Sequence, residues 1–134
     1  MKTYWDASAL VELLNDPVTR AQLRSEETGV NVTRVHSLAE VFSTITGGRR
    51  AGWRVDADDA ADMVEDLAKD LSFVELTHWD VVKHLKAAKG LGVRGGRVHD
   101  YLHAVAATKA GAGKLRTLNV EHFRGLEEGW EIES

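Results

Sequence analysis

Between His99 and Phe123 the chain runs from a helical period into a short apolar stretch and stops at a polar cluster, HDYLHAVAATKAGAGKLRTLNVEHF. Val98, Leu102, Val105 and Lys109 recur at helical spacing, Gly111 and Gly113 end the period, and Lys114 to Leu118 reads as a short buried strand. A helix that feeds a short apolar strand restricts the fold sharply, because strands of this kind are buried on both faces of a parallel sheet whose crossover helices cover them. The rest of the chain repeats the alternation. Thr3, Tyr4 and Trp5 form a β-prone run ending at Asp6, Val30 to Thr33 and Ser72 to Leu76 are two more strands, and Trp130 to Ile132 is a last short one.

Helical stretches lie between them. Ala7 to Asn15 carries Leu10, Leu13 and Leu14 on one side; Asp16-Pro17 starts a second helix that Thr28-Gly29 ends; Ser37 caps a third with Leu38, Val41, Phe42 and Ile45 inward. Gly47-Gly48-Arg49-Arg50 ends that helix in a loop expected to be mobile and able to close over a ligand. Asp56 begins a fourth helix with an inner stripe of Ala57, Ala60, Ala61, Val64, Leu67, Ala68 and Leu71. Thr77 and Asp80 form a capping box for a fifth reaching about Ala88, with Trp79, Val81 and Leu85 in the core. KGLGVRGGRVHD follows a helix rather than a strand and lacks GxGxxG spacing, so it reads as a flexible loop and not a nucleotide cradle. The order predicts one α/β domain over 1–134, a three-layer α/β/α sandwich with a mainly parallel sheet of four to five strands and no internal repeat.

In such a sheet the loops after the strands converge on one crevice. That edge receives Asp6 with Ser8 beside it, and also Thr117, Asn119, Glu121 and His122. Asp100 falls in the first turn of the helix before the last of these strands, and Glu40 lies on the polar face of the third helix with Ser43, Thr44 and Gly47. Each acid also has an ordinary structural reading. Asp6 suits an N-cap, Asp100 complements a helix dipole for about 0.3–1 kcal/mol, and Glu40 suits a solvated face. His103, one turn after Asp100, is assigned to packing and left out of the site.

Charge and composition narrow the chemistry. With 17 basic and 21 acidic residues the net charge is −4, which argues against broad non-specific attraction to nucleic acid. The basic residues are nevertheless grouped: Arg49, Arg50 and Arg54 follow one helix, and Lys83, Lys86, Lys89, Arg94 and Arg97 precede Asp100, where Arg94 and Arg97 form a candidate phosphate path. There is no cysteine, which excludes disulfides and thiolate sites, and MKTYWD enters a strand with no long apolar segment, so a cytoplasmic protein without a membrane span is expected.

Asp6 in TYWDASAL, Glu40 in HSLAEVFSTI, Asp100 in HDYLHAVAA and the TxNxxHF run from Thr117 to Phe123 together resemble the PIN-domain ribonucleases, in particular VapC-like toxins of toxin–antitoxin pairs. The four motifs span nearly the whole chain in the family's order. The resemblance implies a PIN-like fold, an endoribonuclease with Asp6, Glu40 and Asp100 as catalytic acids, and a metal held by Asp6 and Asp100 with Glu40, Asn119, Glu121 and His122 as further candidates. It also implies RNA as substrate, contacted by Ser8, Thr117, Arg94 and Arg97, a small cognate antitoxin and a homodimer. The family's last motif usually carries a fourth acid, as TxD or TxNxxDF, where this chain has Asn119 and His122 with Glu121 adjacent.

The implied cation has a physical basis. Clustered carboxylates repel unless a cation neutralises them, and oxygen ligands without cysteine select a hard ion, Mg²⁺ or Mn²⁺, able to activate a water for in-line attack on a phosphodiester. Two rivals stand beside it: a catalytically weak or inactive PIN-fold module that binds RNA or protein, and a phosphotransfer enzyme with Asp6 as nucleophile. The second lacks the second aspartate of a DxDxT motif.

Overall fold

Each short apolar run becomes a strand and each helical period a helix. The structure is a computed structural model and describes residues 1–25, 29–48 and 53–134. In chain order the elements are β1 (Lys2–Trp5), α1 (Ala7–Leu14), α2 (Pro17–Ser25), β2 (Val30–Arg34), α3 (His36–Gly47), α4 (Ala57–Ala68), β3 (Ser72–Val74), α5 (His78–Ala87), a 3₁₀ turn (Ala88–Leu91), α6 (Arg97–Lys109), β4 (Lys114–Arg116), α7 (Val120–Phe123) and β5 (Glu131–Glu133).

Among the described residues the five strands form one sheet, ordered β3-β2-β1-β4-β5 and parallel throughout. β1 is central, with Tyr4 opposite Val32 of β2 and Leu115 of β4. Successive strand residues face opposite ways, and that alternation divides the core. Tyr4 joins Val32, Leu115, the Ala104, Ala106 and Ala107 face of α6, Phe123 and Trp130 in one cluster. Trp5 joins Leu10 and Leu13 of α1, Val41 and Ile45 of α3, and Ala60 and Leu67 of α4 in the other. The sheet is thus covered on both faces, as three layers require.

Local signals account for the helix starts. The Asp6 carboxylate caps α1 by accepting from Ala9 N, Asp16 accepts from Thr19 N ahead of the Pro17 start of α2, Asp56 accepts from Asp58 N, and the Thr77–Asp80 capping box forms in full.

Four expectations are corrected. Ser37 does not cap α3: the helix begins at His36, Val35 occupies the cap without a side-chain bond, and Ser37 is fully buried with its hydroxyl 2.7 Å from that of Thr33. α5 contributes no fully buried residue, and Trp79 at 71% and Leu85 at 46% exposure lie on the surface, with Val81 only half-buried. On α4, Ala57 and Ala61 are exposed while Ala60, Leu67 and half-buried Met63 and Val64 face inward. The glycine-rich stretch before Asp100 is built as a 3₁₀ turn followed by tight turns, anchored by buried Val93, with Gly92 and Gly95 at φ of 68° and 61° where other residues are strained. Thr28, Arg49 and Arg50 lie outside the described residues, so the expected α2 stop and the mobile loop after Gly48 fall there in part. No helix among the described residues is long and apolar enough to cross a membrane.

Candidate active site

The chain order of the sheet reverses between β1 and β4, and the crevice at such a switch point opens beyond the carboxyl ends of the two strands. Asp6 follows β1 there and Thr117 follows β4. Asp6 is 2% exposed and both its oxygens are held: Oδ1 accepts from Ser8 Oγ (2.7 Å) and Ala9 N (2.9 Å), and Oδ2 from Thr117 Oγ1 (2.5 Å). Ser8 Oγ in turn accepts from Leu118 N (3.0 Å), and Thr117 Oγ1 from Asn119 N (2.9 Å). The capping role and a site role therefore coincide. The bonds that cap α1 also fix the Asp6 carboxylate and tie the β4 loop to it.

A cavity of about 220 Å³ lies over this knot, lined by Asp6, Ala7, Ser8, Glu40, Thr44, Asp100, His103 and Asn119. Five of the sequence candidates, Asp6, Ser8, Glu40, Asp100 and Asn119, thus share one cavity, with Thr117 directly beneath. Asp100 sits in the first turn of α6 after the Gly96 cap, and its Oδ2 lies 2.9 Å from Nδ1 of His122, which places His122 behind Asp100 and not on the cavity wall. Glu40 Oε1 lies 3.0 Å from His103 Nε2 and 4.0 Å from His36 Nε2. Burial raises the Glu40 pKa, but the His103 hydrogen bond and nearby positive charge, Arg34 included, outweigh it and hold the carboxyl below the usual range.

Three candidates are not brought in. Glu121 pairs on the surface with Arg124 at 3.2 Å. Arg94 is exposed in the turn before α6 and Arg97 opens that helix, and neither lines the cavity. His103, assigned to packing from the sequence, is the residue that reasoning missed. It is 2% exposed yet reaches the cavity, and its only signal was the three-residue spacing from Asp100, which a core histidine on the same helix would share. A larger cavity of about 390 Å³ beside α5 and α6 contains none of the candidates.

Among the described residues no three acid or histidine side chains converge closely enough to grip an ion by themselves. The cavity donors are nonetheless mostly hard oxygens from Asp6, Glu40, Asp100 and Asn119. Mg²⁺ commonly uses one or two carboxylates and keeps its remaining waters, so this set fits a hydrated divalent ion.

No protein-family model matches the sequence, and no curated protein does. Solved structures do match in fold. A chain in the structure of VapBC-1 from nontypeable Haemophilus influenzae superposes with a TM-score of 0.69 at 18% identity, over 99% of this chain and 97% of that one. A chain in the structure of VapBC2 from Rickettsia felis, bound to a DNA fragment from their promoter, does so with a TM-score of 0.69 at 14% identity, over 99% and 98%. The chain therefore has, over nearly its whole length, the PIN-like α/β fold of those VapBC structures.

Proposed function

We propose that the chain is an endoribonuclease of the VapC-like toxin kind, dependent on Mg²⁺ or Mn²⁺, that hydrolyses RNA phosphodiester bonds in the cytoplasm and is neutralised by a cognate antitoxin. The observation that carries this reading is the meeting of Asp6, Glu40 and Asp100, from three different elements, around one 220 Å³ cavity at the sheet's switch point. When bound, a divalent ion supplies the Lewis acidity that activates a water and offsets charge on the leaving oxygen. The chain's own part is positioning. Asp6 is locked by Ser8, Thr117 and the α1 backbone; Asp100 is held from behind by His122; Glu40 faces them across the cavity. Asp6 and Asp100 are the primary ion-holding groups, with Glu40 and Asn119 as further oxygen donors. Arg94 and Arg97, near the start of α6 but outside the cavity, are the groups proposed to meet flanking phosphates, while the net charge of −4 leaves the remaining surface unattractive to RNA. The VapBC structures that share the fold support a protein antitoxin partner; that it blocks the acidic cavity and that the chain self-associates are what the family resemblance implies.

A second reading has its own support. No three ligands close on a point among the described residues, and Asn119 and His122 replace the acids usual in the last motif, which favours a weakly active or inactive module that binds RNA or protein.

RNA cleavage by the purified, partner-free protein separates the two. Cleavage is expected with Mg²⁺ and lost with chelator, and Asp100→Asn should reduce it to background with an unchanged circular dichroism spectrum. Wild-type rates in the variant would remove Asp100 from the mechanism, and gross unfolding would make it a structural acid. No cleavage by the wild type with either metal would favour the binding module.

A further inference from the structure

His103 is an unusual core residue, because one ring nitrogen faces the interior and the other faces the candidate active site. It is 2% exposed, and Tyr4, in the central strand, is fully buried beneath it. Tyr4 Oη lies 2.7 Å from His103 Nδ1, with the two rings edge to face at 5.8 Å between centroids, and His103 Nε2 lies 3.0 Å from Glu40 Oε1. One line of hydrogen bonds therefore crosses from β1 through α6 to α3 and ends on a carboxylate that lines the cavity. We propose that Tyr4 and His103 form a buried arm that fixes the Glu40 carboxylate in the cavity, with His103 as a positioning residue for the hydrolysis proposed above. The inference rests on that reading.

The direction of each bond follows from chemistry. A phenol, whose ordinary pKa is about 10, keeps its proton at neutral pH and donates it to the ring nitrogen 2.7 Å away. Nδ1 then accepts, the ring carries its proton on Nε2, and that N–H donates to the carboxylate, an oriented pattern in which a second partner decides which nitrogen bears the proton. The need for an arm follows from Glu40 itself. Its side chain is long, rotamer-rich and 28% exposed, and fixing such a group costs conformational entropy that an already ordered neighbour reduces. His36 approaches the same oxygen only at 4.0 Å and is itself 54% exposed, so it does not replace the arm. A histidine serving packing alone would bond backbone or another core group with its second nitrogen. Here that partner is one of the three cavity acids.

The test uses ¹⁵N imidazole spectra of the metal-free protein alongside steady-state RNA cleavage with Mg²⁺. His103 is expected as the Nε2–H tautomer in the wild type, and Tyr4→Phe, which keeps the ring volume and removes the donor to Nδ1, is expected to shift the Nδ1 resonance as that nitrogen loses its hydrogen bond while Glu40 still holds the proton on Nε2. In cleavage, Tyr4→Phe and His103→Ala should lower kcat by about 10- to 100-fold, the usual cost of losing an orienting partner, with KM little changed. His103→Gln, whose amide N–H reaches about as far as Nε2, should recover part of kcat, which a merely structural histidine would not allow. An Nδ1–H tautomer in the wild type, or wild-type kcat in a folded Tyr4→Phe protein, overturns the arm. If His103→Ala fails to fold, Tyr4→Phe and the spectrum decide alone. A wild-type protein that cleaves no RNA under any condition overturns the hydrolase reading instead, and the tautomer then judges the arm.

Discussion

Thr117 shows how tightly single atoms are used at the crevice. It is fully buried, its hydroxyl donates to Asp6 Oδ2, and the same oxygen accepts from Asn119 N. Thr117→Val keeps the shape and removes both bonds, leaving a buried carboxylate oxygen and a backbone N–H short of a partner. A loss of about 1–3 kcal/mol is expected in chemical denaturation, since leaving such groups unsatisfied costs more than the bond's net worth. A loss confined to a few tenths would mean that water replaces the hydroxyl. At this scale the sequence was legible where one residue's local role and site role use the same geometry. Asp6 reads as an N-cap, is an N-cap, and reaches the cavity because capping aims it there. His103 was not legible, since nothing local distinguishes a histidine aimed at core atoms from one aimed at Glu40, and the partner lies 63 positions away. Ser37 was misread for a similar reason: a serine near a helix start suggests a cap, but Thr33 on the preceding strand captures its hydroxyl.

Among the elements, α5 separates what periodicity can and cannot tell. Its capping box is local and was read correctly from Thr77 and Asp80. Its apolar residues carry the pattern of a core face, yet among the described residues no element covers Trp79, because a 3.6-residue period marks an apolar face without saying whether anything packs on it. α5 is tied instead through charge and caps. Asp80 Oδ2 accepts from Thr77 N at 2.9 Å and from Lys109 of α6 at 2.6 Å. The Lys109 bond, with the Thr77 N–H, holds the Asp80 carboxyl at about 2, down from an ordinary 3.8. The folded chain thus binds this proton less tightly than the unfolded chain. Its stabilising contribution is complete above 3.8 and disappears as pH falls through about 2. Asp80→Asn should therefore lower the melting temperature at neutral pH, and the gap to wild type should shrink across that acid window. A gap independent of pH would show that the variant acts through the cap geometry and not through ionisation.

For the whole molecule, the three layers and the parallel sheet followed from alternating short apolar runs and helical periods, whereas the strand order did not, since no local signal sets β4 beside β1 rather than beside β3. That pairing is what builds the crevice: it brings Thr117 and Asn119 against Asp6, while α3 and α6 deliver Glu40 and Asp100 from opposite faces of the sheet. Because the cavity takes residues from so many elements, any ion it holds is linked to global unfolding. An ion that binds the folded state alone stabilises it by RT ln(1 + [L]/Kd), about 2.7 kcal/mol at a hundredfold excess over Kd, which corresponds to several degrees of melting temperature for a domain of this size. Melting the partner-free protein across a Mg²⁺ series should give a rise that continues with concentration, and Asp6→Asn or Asp100→Asn should flatten it. The metal-free variants also report on repulsion within the cavity. If the empty acids strain the fold, neutralising Asp100 raises the metal-free melting temperature; if the His122 bond to Asp100 already offsets the charge, it lowers it. A wild-type melting curve that ignores both Mg²⁺ and Mn²⁺ would remove the ion from the site, and Asp6 and Asp100 would then serve as cap and first-turn acid of a binding module.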